Sequence, residues 1–227
     1  MIEVQNVQKS FTLHNQGSQT ISVMTGAQLS VQQGECVALT GASGAGKSTL
    51  MRMIYGNYLV KSGSLTVGDV DVANAAPRQI IEMRKHTLGY VSQFLRVVPR
   101  VSTVDVVAEP LLQVGRSLDE AQARAKDLLA RLRIPTTLWS LSPLTFSGGE
   151  QQRVNIARGF AYDYPAMLLD EPTASLDGAN RETVLELVRD AKKRGAAIIG
   201  IFHDEAARKA VCDREVDVSG FAPQADG

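Results

Sequence analysis

The sequence predicts an α/β fold, a sheet with helices on its faces, and three observations carry that prediction. Short apolar runs of strand length recur at 35–40, 87–93, 166–169 and 196–201. Stretches with apolar residues at helical spacing lie between them. Recurrent strand–helix alternation of this kind favours a sheet covered by helices. Third, the run "ECVALT" passes without a break into the glycine-rich "GASGAGKS" and then into a helical pattern.

Each element follows from a local pattern. Residues 2–7 and about 21–31 read as short strands joined by the polar "HNQGSQT". The strand 35–40 precedes the helix "STLMRMIYG", which sets Leu50, Met53 and Ile54 on one side. Strand-like stretches follow near 63–67 and 69–72, then a helix over 77–85 with Pro77 in its first turn, where proline is favoured. "TLGYVSQ" is a buried strand ending at Gln93. Helices are expected at 103–113 and 119–133, the second carrying Ala125, Leu128, Leu129 and Leu132 on one face. A helix after Ser147, a strand at 166–169, a helix at 179–194 and a strand at 196–201 complete the order. The early β-rich part and the helical 103–160 segment are additions to the central sheet. Residues 1–218 read as one domain and 219–227 as a loose tail.

Composition narrows the function classes. A chain of 227 residues, 44% hydrophobic and 21% charged, is an ordinary globular protein with a substantial core. Lys plus Arg equals Asp plus Glu at 24 each, so no global charge steers it to nucleic acid. The start, "MIEVQNVQKSF", is an alternating strand pattern rather than a signal peptide, and no apolar run reaches membrane-span length, so a cytoplasmic location is expected. Cys36 sits in an apolar strand as a small core residue, and its isolation from Cys212 argues against a structural disulfide.

"GASGAGKS", Gly41, Ala42, Ser43, Gly44, Ala45, Gly46, Lys47 and Ser48, has the spacing of a phosphate-binding loop and the strand–helix setting that the motif requires. Gly44 and Gly46 let the backbone curl so that N–H groups converge on phosphate oxygens, and the helix start adds its positive end. Lys47 is expected to reach the β- and γ-phosphates, Ser48 to place its hydroxyl on magnesium, and Thr49 to act as a nearby donor. The bland reading is a glycine turn followed by a solvated lysine. "AMLLDEP" supplies a second hard oxygen, since Asp170 ends an apolar strand that is expected to neighbour the phosphate-loop strand. Glu171, the next residue, suits the general base that orients attacking water. Adjacent carboxylates at a helix cap are the alternative. His203 and Gln93 also end apolar strands, where open α/β sheets place ligands. His203 suits a γ-phosphate sensor and Gln93 the magnesium–water shell, although an isolated histidine or glutamine at a strand end also has a purely structural reading. Phe11 suits adenine stacking or an edge of the core, with the polar loop after it adapting around the base.

"GASGAGKS", Gln93, "FSGGEQQR", "MLLDEP", "SLD" and His203, in this order along the chain, resemble the nucleotide-binding domain of ATP-binding-cassette (ABC) ATPases. The resemblance implies a P-loop NTPase core of the ABC ATPase type, with an antiparallel β subdomain and a helical, signature-bearing subdomain at about 95–160. It implies ATP and Mg2+ as cofactors, ATP hydrolysis as the reaction, and a head-to-tail homodimer or heterodimer with a sister ABC subunit. In that pair Ser147, Gly148 and Gly149 of one subunit contact the γ-phosphate held by Lys47 of the other, and Asp177 bridges the two sites. Phe146 and Glu150 stand where many relatives carry leucine and glutamine. Arg96 and Arg100, in "FLRVVPR", fall where relatives meet a mechanical partner; a solvated pair is the other reading. Segments such as "GNYLVKSGSL" and "FHDEAARKAVCDREVDV" further resemble the L-type ATPases of the bacterial carbon–phosphorus lyase system for phosphonate use. This narrower resemblance implies soluble lyase proteins as partners and a part in forming α-D-ribose 1-phosphonate 5-triphosphate. The rival readings are the ATPase subunit of a membrane transporter of lipoprotein-release or macrolide-export type, with a membrane permease as partner, and a nucleotide-dependent regulatory subunit.

Overall fold

The computed structural model describes residues 1–13 and 19–223. In chain order the strands are β1 (Ile2–Leu13), β2 (Gln19–Val31), β3 (Cys36–Thr40), β4 (Ser62–Val67), β5 (Val70–Asp71), β6 (Leu88–Val91), β7 (Ala166–Asp170), β8 (Ala197–Ile201) and β9 (Arg214–Asp217). The helices are α1 (Lys47–Ile54), α2 (Pro77–His86), α3 (Thr103–Gln113), α4 (Leu118–Arg131), α5 (Gly148–Gly159), α6 (Gly178–Lys193) and α7 (Glu205–Val211). No helix among the described residues is long and apolar enough to cross a membrane.

Two sheets divide the strands. One is antiparallel, in the order β2-β1-β4-β5, and the other is parallel, in the order β6-β7-β8-β3-β9. Every residue of β7 and β8 is buried, which is why these strands read as unbroken apolar runs rather than alternating ones. Their two faces feed different cores. Met167, Leu169 and Ile198 face the helical layer with Leu128, Leu129, Val154 and Phe160, whereas Leu168 and Ile199 pack with Leu50, Met53 and Ile2 on the opposite side.

The structure differs from the sequence reading at identifiable places. β1 extends to Leu13 instead of stopping near residue 7, and its pairing shifts register between Val4 and Val7 and again at Lys9. Such bulges break the alternation on which a strand is recognised. The linking segment 14–18 lies outside the described residues. β7 does not neighbour the phosphate-loop strand: β8 lies between β7 and β3. The short elements α7 and β9 carry too few apolar residues to register as a period; β9 is recruited by parallel pairing with β3. Part of the segment expected to be a loose tail is packed. Val218–Phe221 form a 3-10 turn, Val218 is buried and Phe221 packs on the core, while 224–227 lie outside the described residues.

The helical layer owes its order to capping and close packing. Ser102 accepts from the Asp105 N–H to start α3, and Ser117 with Glu120 forms a capping box on α4. The last residue of α5, Gly159, lies flat on β6; a Cβ there would fall 2.3 Å from Cγ2 of Val91. Gly159→Ala is therefore expected to destabilise the fold by about 1–3 kcal/mol through overpacking. A denaturant midpoint unchanged from the parent would contradict this close contact.

Candidate functional site

The C-terminal ends of the parallel strands come out on one edge, and β3 delivers the glycine loop there. Gly41, Gly44 and Gly46 have φ of 125°, 82° and 100°, in the left-handed region that side chains resist. A Cβ on Gly41 would meet Ser219 Oγ at 2.8 Å and Asp217 Oδ1 at 2.9 Å, while a Cβ on Gly44 would find nothing within 4 Å. The loop is thus closed behind and open in front. Ala42, Ser43 and Gly44 are exposed, and Ala45 through Thr49 are half-buried as the chain enters α1. No side chain caps α1 and its first turn has no acid, so its positive end faces outward uncompensated. Lys47 Nζ donates to the carbonyls of Gly41 and Ala42 at 2.7 and 2.9 Å, folding its ammonium over the loop mouth.

The acidic residues lie at the ends of β7 and β8. Asp170 is 5% exposed, and its Oδ2 accepts from the Tyr90 hydroxyl at 3.2 Å. Burial raises its pKa above the usual carboxylate value, and the Tyr90 hydrogen bond partly offsets the rise. A carboxyl raised in this way costs stability as pH climbs from its unfolded to its folded pKa. Glu171 has φ of 54°, rare for a residue with a side chain, and its N–H donates to the Ile201 carbonyl at 3.0 Å. That turn brings Glu171 Oε1 to 2.7 Å from His203 Nε2, and His203 remains largely exposed. Gln93, just past β6, lines the same groove as Asp170.

The remaining expected residues occupy separate places. Ser147 is the N-cap of α5: its Oγ accepts from the Glu150 N–H, while Glu150 Oε2 accepts from the Ser147 N–H at 2.9 Å and its hydroxyl at 2.6 Å. The Ser147 hydroxyl, followed by the Ser147 N–H, holds the Glu150 carboxyl below its ordinary pKa. Gly148 has open space around it, and Gly149 lies near the Ser175 carbonyl. Asp177 caps α6, with one oxygen on the Asn180 N–H and the other on the Asn180 amide, both at 2.8 Å. Phe11 stands on β1 edge-on to Tyr58, with centroids 5.2 Å apart, and Lys9 Nζ lies 4.7 Å over its ring. The polar loop beyond Phe11 falls mainly outside the described residues.

Sequence reasoning missed Tyr90, which touches the acid, and Asp217 with Ser219, which back the glycine loop. Tyr90 hid inside an apolar strand pattern, and Asp217 ends a strand too short to carry a signal. It also missed a groove of about 1190 Å³ along the edge strand β6, with α1 and α2 on one side and α3 and α5 on the other, lined by Arg52, Tyr58, Arg84, Gln93, Phe94 and Arg158 among others. Phe94 is 70% exposed there. Arg96 lines it too and is exposed, as is Arg100, which has φ of 68°.

The sequence pattern of the ABC transporter family matches residues 24–174, from β2 through the Asp170–Glu171 turn. The chain belongs to the ABC transporter family. Similar proteins include the lipoprotein-releasing system ATP-binding protein LolD of Legionella pneumophila (strain Paris), 33% identical over 199 residues and covering 87% of each chain. The ABC transporter ATP-binding protein YtrE of Bacillus subtilis (strain 168) is 33% identical, over 90% of this chain and 89% of its own. The fold matches the ATP-binding cassette MJ0796 in a dimeric post-hydrolysis state bound to ADP and Pi, with TM-score 0.87 and 25% identity over 96% of this chain and 95% of that one. The P-loop fold of ABC ATPases, with its antiparallel and helical subdomains, is the fold of this chain. It is an ATP-binding and ATP-hydrolysing ABC ATPase.

The narrower expectation of a carbon–phosphorus lyase component, with phosphonate metabolism, its ribosylated triphosphate intermediate and soluble lyase partners, is corrected by these relatives. The similar proteins named serve lipoprotein release and ABC transport. The physical reason is that a segment such as "GNYLVKSGSL" is mostly exposed surface, free to vary independently of the nucleotide chemistry. For this ABC ATPase, Tyr90→Phe is expected to raise the Asp170 pKa further, because the carboxylate loses a donor. Side-chain carbon NMR across a pH titration reads this directly; a downward or absent shift would contradict the hydrogen bond.

Proposed function

We propose that this chain is the ATPase subunit of an ABC membrane transporter or lipoprotein-release assembly, working as a head-to-tail pair at the cytoplasmic side of the membrane. One observation carries the proposal: the solvent-open groove lined by Gln93 and Asp170 also presents the exposed Phe94. A partner element seated there touches the nucleotide edge directly. The similarity to transport ATPases supports a membrane partner, and the dimeric cassette MJ0796 supports pairing with a second copy or a sister subunit.

In this reading the open loop Gly41–Ser48 cradles the phosphates of ATP, with Lys47 leaving the Gly41 and Ala42 carbonyls to reach the β- and γ-phosphates. The Ser48 hydroxyl, the Asp170 carboxylate and the Gln93 side-chain carbonyl are hard oxygen donors, which suit Mg2+. Magnesium, when bound with ATP, neutralises charge on the phosphate oxygens. Glu171 takes the proton of the attacking water as its oxygen bonds to the γ-phosphorus, and ADP leaves with the bridging oxygen. His203, 2.7 Å from Glu171, fixes the carboxylate and suits a γ-phosphate sensor. Ser147, Gly148 and Gly149 of the opposite subunit close the site, and Phe11 offers its ring to adenine.

Lys47→Ala is expected to weaken ATP binding about 10-fold or more, since a charge-assisted hydrogen bond is worth about 1.5–3 kcal/mol. Unchanged affinity in equilibrium binding would remove Lys47 from the site. Glu171→Gln is expected to retain nucleotide and slow single-turnover hydrolysis by roughly 10²–10⁴. A variant hydrolysing at the parent rate would end the general-base assignment. Affinity isolation of Glu171→Gln from native membranes with ATP present is expected to bring down integral membrane subunits; recovery of soluble enzymes alone would overturn the transporter reading.

A further inference from the structure

Cys36 and Cys212 are 176 positions apart in sequence, yet their sulfurs lie 3.5 Å apart in the fold. Both are free thiols. Cys36 opens β3 and is fully buried, whereas Cys212 closes α7 and is half-buried, so solvent reaches the pair from the Cys212 side. The two backbones are already fastened together. The Cys36 N–H donates to Asp213 Oδ2 at 2.8 Å, and the Asp213 N–H donates to the Cys36 carbonyl at 2.8 Å. Lys192 Nζ ties the same turn, donating to the Val211 carbonyl at 2.8 Å and to Asp213 Oδ1 at 2.9 Å.

From this geometry we propose that Cys36 and Cys212 form a redox-modification site that closes to a reversible intramolecular disulfide, with Cys212 meeting the oxidant and Cys36 resolving it. The sulfurs need only approach from contact to a bond of about 2.05 Å, across backbones that pairing holds in place. The partner thiol first, and then the Lys192 ammonium, favour the Cys212 thiolate, while the hydrogen bond to Cys212 and burial keep Cys36 protonated. Partial burial of Cys212 opposes its thiolate more strongly than Lys192 favours it, and Asp213 and Glu215 oppose it more weakly still, but the Cys36 hydrogen bond leads and the net direction is downward.

Oxidised glutathione serves as the disulfide-class co-reactant. Cys212 gives its proton to solvent, and its thiolate attacks one glutathione sulfur, forming a mixed disulfide and releasing one glutathione thiolate. Once Cys212 is in the mixed disulfide, Cys36 no longer hydrogen-bonds a Cys212 thiolate; it gives its proton to solvent, its thiolate attacks the Cys212 sulfur from the buried side, and the second departing glutathione thiolate takes up a proton. Two protein thiols are oxidised and one glutathione disulfide becomes two thiols. The new bond joins the start of the strand that feeds the glycine loop to the turn after α7, the helix that follows His203.

The test uses the full chain in glutathione buffers of graded ratio, quenched in acid and alkylated after denaturation. The expected result is a loss of two mass units, no alkylation, and a cross-linked peptide joining residue 36 to residue 212, all reversed by dithiothreitol. The folded Cys36→Ser variant is expected to stop at a glutathione adduct on Cys212, and Cys212→Ser to leave Cys36 unmodified. Wild-type protein that keeps two alkylatable thiols, or that halts at the mixed disulfide, would overturn the proposal. Because that readout needs no variant, a substitution that impairs folding leaves the test intact.

Discussion

The parallel pairing of β8 between β7 and β3 is the constraint on which the rest depends. Gly200 of β8 stands opposite both Ala38 of β3 and Leu169 of β7, so the three strands run in common register and end on one edge. A slip of one residue would turn each strand's side chains to the wrong core. Gly200 itself is required, since a Cβ there would fall 2.2 Å from the Phe202 ring, which folds back over the strand. The glycine loop, the Asp170–Glu171 turn and His203 are neighbours only because this register holds.

That edge stores unfavourable electrostatics and backbone strain. Asp170 is buried with a raised pKa, Glu171 sits at positive φ, and the outward end of α1 has no acid to balance it. Each of these persists because the surrounding sheet over-determines it. In the proposed reading a polyanion with a divalent cation would relieve both charges at once, the anion at the helix terminus and Lys47, the cation at Asp170.

One helix connects this edge to the groove. Within α5, Gln152 donates to the Glu171 carbonyl and Asn155 donates to the Ser92 carbonyl beside Gln93. Arg158 donates to the Arg96 carbonyl and pairs with Glu109 of α3, and Gly159 lies on Val91 of β6. The N-terminus of the same helix carries Ser147–Gly149. One helix thus touches the Glu171 turn and the Ser92–Gln93 segment and carries Ser147–Gly149 at its start.

The glycine loop after a strand, the Asp170–Glu171 pair at a strand end, the chain positions of the central strands and most helices were legible in the sequence, because each is written in a local pattern: glycine spacing, an apolar run, a helical period. The sequence also determined the ABC family through motifs in fixed order. Partner identity was misread, because it resides on exposed segments that the nucleotide chemistry does not constrain. Only the tertiary structure decided that β8 separates β7 from β3, that Tyr90 bonds Asp170, that Asp217 and Ser219 back Gly41, and that Cys36 meets Cys212. These contacts join residues distant along the chain, and local periodicity carries no information about which strand edge pairs with which. That choice is made by the burial of two sheet faces at once, a property of the folded molecule alone.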